Sequence, residues 1–257
     1  MNGDLPTLAS RTLGRTGRPI PPILWRIGPH TAAPADVLQR LPETGATWFF
    51  IDAGTPDQTL AQLSPGASIV IGMDVGQLTP RAAAWLSRRL QQLSLATCEG
   101  VLIQDASPSA IKSGGPFHRL IQLRERGLTR TFWLDAEDAA TAEWMVENTP
   151  AHAVCVPFSL DDQLAAYRVL PAAAEMGLAV IAKPGDLSAA NLSFIAAEPR
   201  ISAIVIGLPQ TPQDLRRMAV AVAHPMPDEQ RLTAWEAWQA AHPEPPRPKR
   251  NLPPDMA

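Results

Sequence analysis

The chain has one tyrosine, Tyr167, and two cysteines, Cys98 and Cys155, in 257 residues. Neither cysteine belongs to a metal-binding or redox spacing, so a zinc ribbon and a thioredoxin-type dithiol are excluded. Both lie in or beside apolar stretches, which predicts packed thiols rather than reactive ones. Long apolar runs are also missing: none approaches the roughly 18 residues that a membrane span needs. A formal charge of −3 supplies no field for nucleic acid. The opening "MNGDLPTLASRTLGRTGRP" lacks an apolar segment behind a basic one, so the expectation is a cytoplasmic protein without membrane contact or structural disulfides. The five histidines, His30, His118, His152, His224 and His242, show no cluster spacing, and no metal is expected.

What the sequence does have is alternation. Eight short apolar runs recur: 22–27 (PILWRI), 48–52 (WFFID), 68–72 (SIVIG), 100–104 (GVLIQ), 130–135 (RTFWLD), 153–158 (AVCVPF), 178–183 (LAVIAK) and 202–207 (SAIVIG). Each is continuous in hydrophobicity, as a strand buried on both faces should be. The segments between them read mostly as helices. Residues 79–93 place Ala83, Leu86, Leu90 and Leu93 on one stripe behind a Thr79 cap and Pro80, and 117–127 end on Gly127. In 159–177, Ser159 and two acids suit the first turn, while Pro171 predicts a break. Residues 211–222 repeat the Thr-Pro start, and the connection near 57–63 is short. Eight βα units at this length imply an α/β protein, a (β/α)8 barrel in one domain over 1–242. One more helix is expected at 227–242, then a Pro-rich tail over 243–257, too poor in apolar residues to order itself and read first as a frayed terminus or a strap across the barrel, with a docking segment as the alternative.

The stretch "WFFIDAGTPDQTL" (48–60) puts Asp52 at the tip of an apolar strand, where a barrel keeps its chemistry. The seven tryptophans are expected to pack: Trp85, Trp133 and Trp144 on core faces, Trp235 and Trp238 on one face of the last helix. Tyr167 is expected inside a helix, away from any site.

"RTLGRTGRPIPPIL" (11–24) resembles the opening of the aldo-keto reductases, and the likeness continues through "WFFIDAG", "LIQDASP", "VLPAAAEMGLAVIAKP" and "ISAIVIGLPQTPQDLRR", covering about 11–223. The resemblance implies their barrel, with an N-terminal hairpin sealing the bottom and NADPH-dependent carbonyl reduction at the strand ends. That reaction uses a tyrosine acid, a lysine that lowers its pKa, an aspartate that holds the lysine and a histidine that orients the carbonyl. On this sequence the aspartate falls on Asp52, the tyrosine on Asp57, the lysine on Asp74 and the histidine on Gln104. Asp57 would need a strongly raised pKa to serve as the acid. The nicotinamide contacts fall on Asp135, Ala136 and Cys155, with Phe158 keeping an aromatic face; the phosphate grip keeps Gly207, Arg216 and Arg217, while Met218 replaces an asparagine. Trp25 falls where the cofactor needs space. No cofactor is therefore expected, with NADPH left as the open alternative.

The strand ends now carry Asp52, Asp74, Gln104, Asp135 and Lys183, the only lysine between positions 113 and 248. Acids around Lys183 would favour the ammonium, and the expected partner is Asp52 or Asp74. Three functions follow from the resemblance and these departures. The first is a non-redox binding, scaffold or accessory protein, taking a small molecule or a protein at the barrel mouth. The second is a repurposed dehydratase, isomerase or cyclase using the Asp and Lys side chains, and the third a weak NADPH-dependent reductase with an unusual proton donor.

Overall fold

Each apolar run forms a strand because its backbone can satisfy its hydrogen bonds laterally while both side-chain faces are buried. The computed structural model describes residues 5–31, 34–56, 63, 66–104, 106–112 and 115–243. A short antiparallel hairpin, β1 (Arg11–Thr12) and β2 (Pro19–Ile20), precedes eight parallel strands. These are β3 (Ile23–Ile27), β4 (Trp48–Ile51), β5 (Ser68–Asp74), β6 (Cys98–Gln104), β7 (Thr129–Asp135), β8 (Ala153–Pro157), β9 (Ala179–Lys183) and β10 (Ile201–Gly207). They pair in sequence order, and β10 closes the barrel on β3.

The described helices are α1 (Ala35–Arg40), α2 (Ala82–Gln92), α3 (Pro108–Lys112), α4 (Gly115–Glu125), α5 (Ala139–Asn148), α6 (Leu164–Arg168), α7 (Leu170–Met176), α8 (Ala189–Ala197), α9 (Pro212–Ala223) and α10 (Asp228–Ala241). Pro171 lies in the first turn of α7, and the chain breaks from α6 into α7 at Val169, as the sequence implies. α9 starts with Thr211, whose hydroxyl accepts the Asp214 N–H. α2 begins later than expected: Thr79 and Pro80 belong to the preceding turn, where the Thr79 hydroxyl accepts the Arg81 N–H. Ser159 likewise sits in a turn before α6 and bonds Asp162. The short connection expected near 57–63 lies largely outside the described residues, as does the tail from 244 on. Among the described residues no helix is long and apolar enough to cross a membrane.

Alternation along the strands divides the core in two. Leu24, Phe50, Val70, Leu102, Trp133, Cys155 and Ile181 face the barrel axis, and Ile23, Trp25, Phe49, Ile71, Phe132 and Val154 face the helices. Size is balanced across the interior: Trp48 and Phe50 on β4 are met by the small Ala153, Ala179 and Ala203 on β8, β9 and β10 on the other side. Gly100 makes room for the Trp133 indole, since a Cβ there would stand 2.9 Å from its Nε1, and that N–H donates to the Thr131 hydroxyl at 2.8 Å.

The hairpin closes the bottom by inserting Leu13 and Ile20, both fully buried, beneath this layer. Such burial contributes about 1.5–3 kcal/mol per side chain. Its turn must approach the barrel backbone closely. Arg15 N–H donates to the Gly177 carbonyl at 2.5 Å, and Gly14, at φ 45°, leaves no space for a Cβ, which would lie 2.5 Å from Ala179 N. Far from the axis, α10 buries no residue completely and is held by ring contacts of Tyr167 on α6 with Trp235 at 4.4 Å and Trp238 at 5.8 Å. Tyr167 thus lies within a helix, as expected, half-buried and facing α10. The Glu198 carboxylate ties β10's entry to α10 through Arg200 at 2.6 Å and Arg231 at 3.3 Å. Burial would raise its pKa, but these guanidinium contacts outweigh burial and hold it below the usual carboxylate range.

Gly14 and Gly17 give a paired test of hairpin docking. Both have positive φ, but a Cβ at Gly17 meets nothing within 4 Å. Gly17→Ala should cost about 1–2 kcal/mol from backbone strain alone. Gly14→Ala should cost about 1–3 kcal/mol more, from the clash. Urea midpoints at unchanged m-value would show this, and equal losses at the two positions would contradict it.

Candidate functional site

The C-terminal strand ends bring together two polar clusters, each bridging strands that are not neighbours. In the first, Asp52, just past β4 and 9% exposed, accepts the Arg26 Nε–H with both carboxylate oxygens at 3.1 Å and the Gln104 amide at 3.0 Å. Gln104 lies on β6, two strands from β4, and its side chain must cross β5. It crosses at Gly72, where a Cβ would lie 2.6 Å from Gln104 Oε1. Gly28 gives similar clearance on the other side, its would-be Cβ standing 2.9 Å from Asp52 Oδ2. Two glycines thus open the lanes through which a carboxylate reaches its donors.

In the second cluster, Lys183 on β9 donates to Asp135 on β7 at 2.5 Å and to the Ala136 carbonyl at 2.7 Å. Cys155, on the intervening β8, lines the same cavity as both members of the pair. This corrects the expected pairing: Lys183 is held by Asp135 and not by Asp52 or Asp74, because Arg26 has taken Asp52. Asp74 points to solvent and precedes a 3-10 turn at Val75–Gln77, where its N–H donates to the Gln77 side chain at 2.9 Å. Asp57 lies outside the described residues.

Arg26 is the member that the strand-end pattern missed. A guanidinium in the otherwise apolar "PILWRI" was the available signal: residues two apart share a face, so Leu24 inside the barrel places Arg26 there too. The same parity corrects Trp25. Its ring faces the helices, with the indole N–H on the Ala46 carbonyl at 3.0 Å, and takes no space at the mouth.

Leu24, Arg26, Phe50, Leu102, Trp133 and Asp135, with Cys155 and Lys183, surround a cavity of about 10 Å³. That is room for about one water. Burial raises the Cys155 thiol's pKa far above its ordinary value, and Asp135 adds to this while Lys183 and Arg26 offset part. Burial also pushes Cys98 up to about 12.

The residues expected to grip a dinucleotide do not fit one. Phe158 is buried and stacks on Phe194 at 5.5 Å, its ring turned to the helix layer instead of the mouth. Gly207 is exposed with open space beside it. The start of α9 already holds a carboxylate: Asp214 accepts the Thr211 hydroxyl at 2.8 Å and Arg217 at 3.2 Å. That acid occupies the helix N-terminus, where an anion would otherwise be favoured. Arg216 lies on the same helix, exposed, and Met218 is buried beneath it.

Asp52→Ala should destabilise the fold by about 1–3 kcal/mol, because the Gln104 amide and the partly exposed Arg26 lose their shared acceptor. Denaturant midpoints would check it, and a loss within about 0.5 kcal/mol would make the cluster a surface ornament. Both thiols should resist a disulfide reagent at mildly alkaline pH in the native protein and react fully once unfolded; fast native modification of either would refute their burial.

No protein-family profile matches the chain, and no curated protein does. Solved structures match over nearly the full length. An aldo-keto reductase from Bacillus halodurans in its holo form superposes with TM-score 0.73 at 11% identity, covering 89% of this chain and 96% of that one. A putative aldo-keto reductase from Pseudomonas aeruginosa gives 0.71 at 18%, covering 90% and 99%. A thermostable aldo-keto reductase bound to the inhibitor epalrestat gives 0.72 at 16%, covering 88% and 98%. The chain has the (β/α)8 fold of the aldo-keto reductases, N-terminal hairpin included.

Proposed function

We propose that this barrel does not carry out NADPH-dependent carbonyl reduction and acts as a non-redox binding, scaffold or accessory protein. The observation that carries the proposal is the content of the mouth. Arg26 and Gln104 are committed to Asp52 on one side and Lys183 to Asp135 on the other, and the cavity that Arg26, Asp135 and Lys183 line has a volume of about 10 Å³. Carbonyl reduction needs a proton donor within hydrogen-bond reach of the carbonyl oxygen, and a donor already committed to a carboxylate is poorly placed for that. No phenol or imidazole lines this cavity. Opening it would break charge pairs that shield each other from a partly buried setting, which is costly for either partner alone. Fold likeness would suggest a reductase, but function rests on the site.

Lys183 in direct contact with Asp135 favours one second reading, a repurposed lyase or isomerase in which this pair moves a proton for a small substrate. Protein partners would then meet the rim of the mouth or the tail.

NADPH titration followed by quenching of tryptophan emission separates these readings. The proposal expects no saturable binding at micromolar cofactor, and saturation there would restore the reductase reading. Borohydride trapping of a carbonyl compound on Lys183, absent in Lys183→Met, would instead favour the repurposed enzyme.

A further inference from the structure

We infer that the bottom of the barrel, opposite the mouth, binds the phosphate group of a small molecule. Arg15 and Arg18 from the hairpin, Arg130 near the start of β7 and His152 just before β8 line an open cleft of about 380 Å³ with Thr16 and Thr131. That is within the size range of small-molecule sites. Arg124 on α4 joins them, its Nη1 3.3 Å from His152 Nε2.

The charge at this end is unbalanced. Two of the four guanidinium groups share one carboxylate, Glu99, which Arg18 reaches at 2.7 Å and Arg130 at 3.5 Å, while Arg15 and Arg124 pair with no carboxylate among the described residues. The whole chain carries a formal charge of −3, so this concentration is local. A clasp for the hairpin would need a single pair. Arg15 adds a second tie, to the Ala151 carbonyl at 3.1 Å, but Arg124 and Arg130 add nothing to hairpin docking. Arg18 Nε is withdrawn from solvent with no acceptor among the described residues.

The other groups in the cleft show which chemistry is left to do the recognising. The Thr16 hydroxyl donates to the Leu13 carbonyl at 2.6 Å and the Thr131 hydroxyl to the Glu99 carbonyl at 2.5 Å, so neither is free to donate. His152 is offered hydrogen by both its neighbours: the Phe132 N–H points at Nδ1 at 3.4 Å and the Arg124 guanidinium at Nε2. A neutral imidazole accepts at one nitrogen only. Burial lowers its pKa, and the charges of Arg124 and Arg15 lower it further, against the small raising effect of the Phe132 backbone. An anion seated among Arg18, Arg124, Arg130 and His152 would give Arg18 Nε and the Arg124 guanidinium an acceptor and take the His152 Nε2–H, leaving Nδ1 to the Phe132 N–H. Planar guanidinium forks match phosphate oxygens in pairs.

The test uses the full chain at low ionic strength, titrated with inorganic phosphate and separately with pyrophosphate, with sodium chloride matching the ionic strength. The His152 ring is followed by NMR and assigned from His152→Gln. Saturable shifts are expected with a dissociation constant of about 1 mM or tighter, and the protonation midpoint of His152 should rise on saturation. Tighter binding of pyrophosphate would indicate a diphosphate ligand, tighter binding of phosphate a monoester. Arg130→Ser and Arg124→Ser should each weaken binding about tenfold, and Arg130→Lys less, since it keeps the charge and loses the fork. Far-UV spectra and melting midpoints confirm that each variant is folded, and either serine variant alone is sufficient. Shifts no larger than the chloride control, or serine variants that bind like the parent, would overturn the inference.

Discussion

Closing eight parallel strands into a ring leaves no strand with a solvent face, so a charge placed near the axis must find its counter-charge on a strand nearby in the same ring. The mouth obeys this constraint with two clusters that each skip a strand. Gln104 reaches Asp52 past Gly72, and Lys183 reaches Asp135 across β8, where Cys155 lines the same cavity. At Gly72 the intervening residue has no side chain. The Gln104–Asp52 contact and the glycine are therefore one design, and neither can be read without the other. A larger side chain at position 72 would strand the Gln104 amide, and the cost of an unpaired polar group in such a setting exceeds that of a lost surface contact.

The architecture was legible because its signal is repetitive. All eight strands fall within two residues of the apolar runs, and the break at Pro171 follows from a missing N–H. Helix starts were less legible. Thr79-Pro80 and Thr211-Pro212 look alike in sequence, yet only the second caps a helix, because a tight turn claims the first. Local chemistry permitted both outcomes, and packing chose.

The site was legible as a list of residues and not as a set of partners. Asp52, Gln104, Asp135 and Lys183 were picked out as strand-end polar residues and all meet at the mouth, but their pairing depends on side-chain parity that a list of strand ends does not carry. Trp25 and Arg26 are neighbours, and one position of register separates the helix layer from the axis. Once Arg26 is placed inward, Asp52 has a strong partner close by, and Lys183 is left to Asp135. A single overlooked residue therefore changed which acid holds the lysine. Phe158 shows the same effect: an aromatic at the right place in the chain can still face the wrong layer.

The two ends of the barrel have exchanged the properties expected of them. In barrels of this architecture the C-terminal face usually holds the open site and the N-terminal face supports stability. Here, among the described residues, Arg26 pairs with Asp52 and Lys183 with Asp135 at the upper end, and the cavity between Arg26, Asp135 and Lys183 is about 10 Å³. The lower end keeps an open cleft in which positive charge exceeds negative. Electrostatic free energy favours compensated charge where space is small and tolerates excess charge where solvent enters. Excess charge in an open cleft is also what attracts a ligand of opposite sign, through a field that its low-dielectric walls focus. By that argument the paired charges at the mouth favour stability, and the unbalanced charge beneath the hairpin is what the inferred phosphate site rests on.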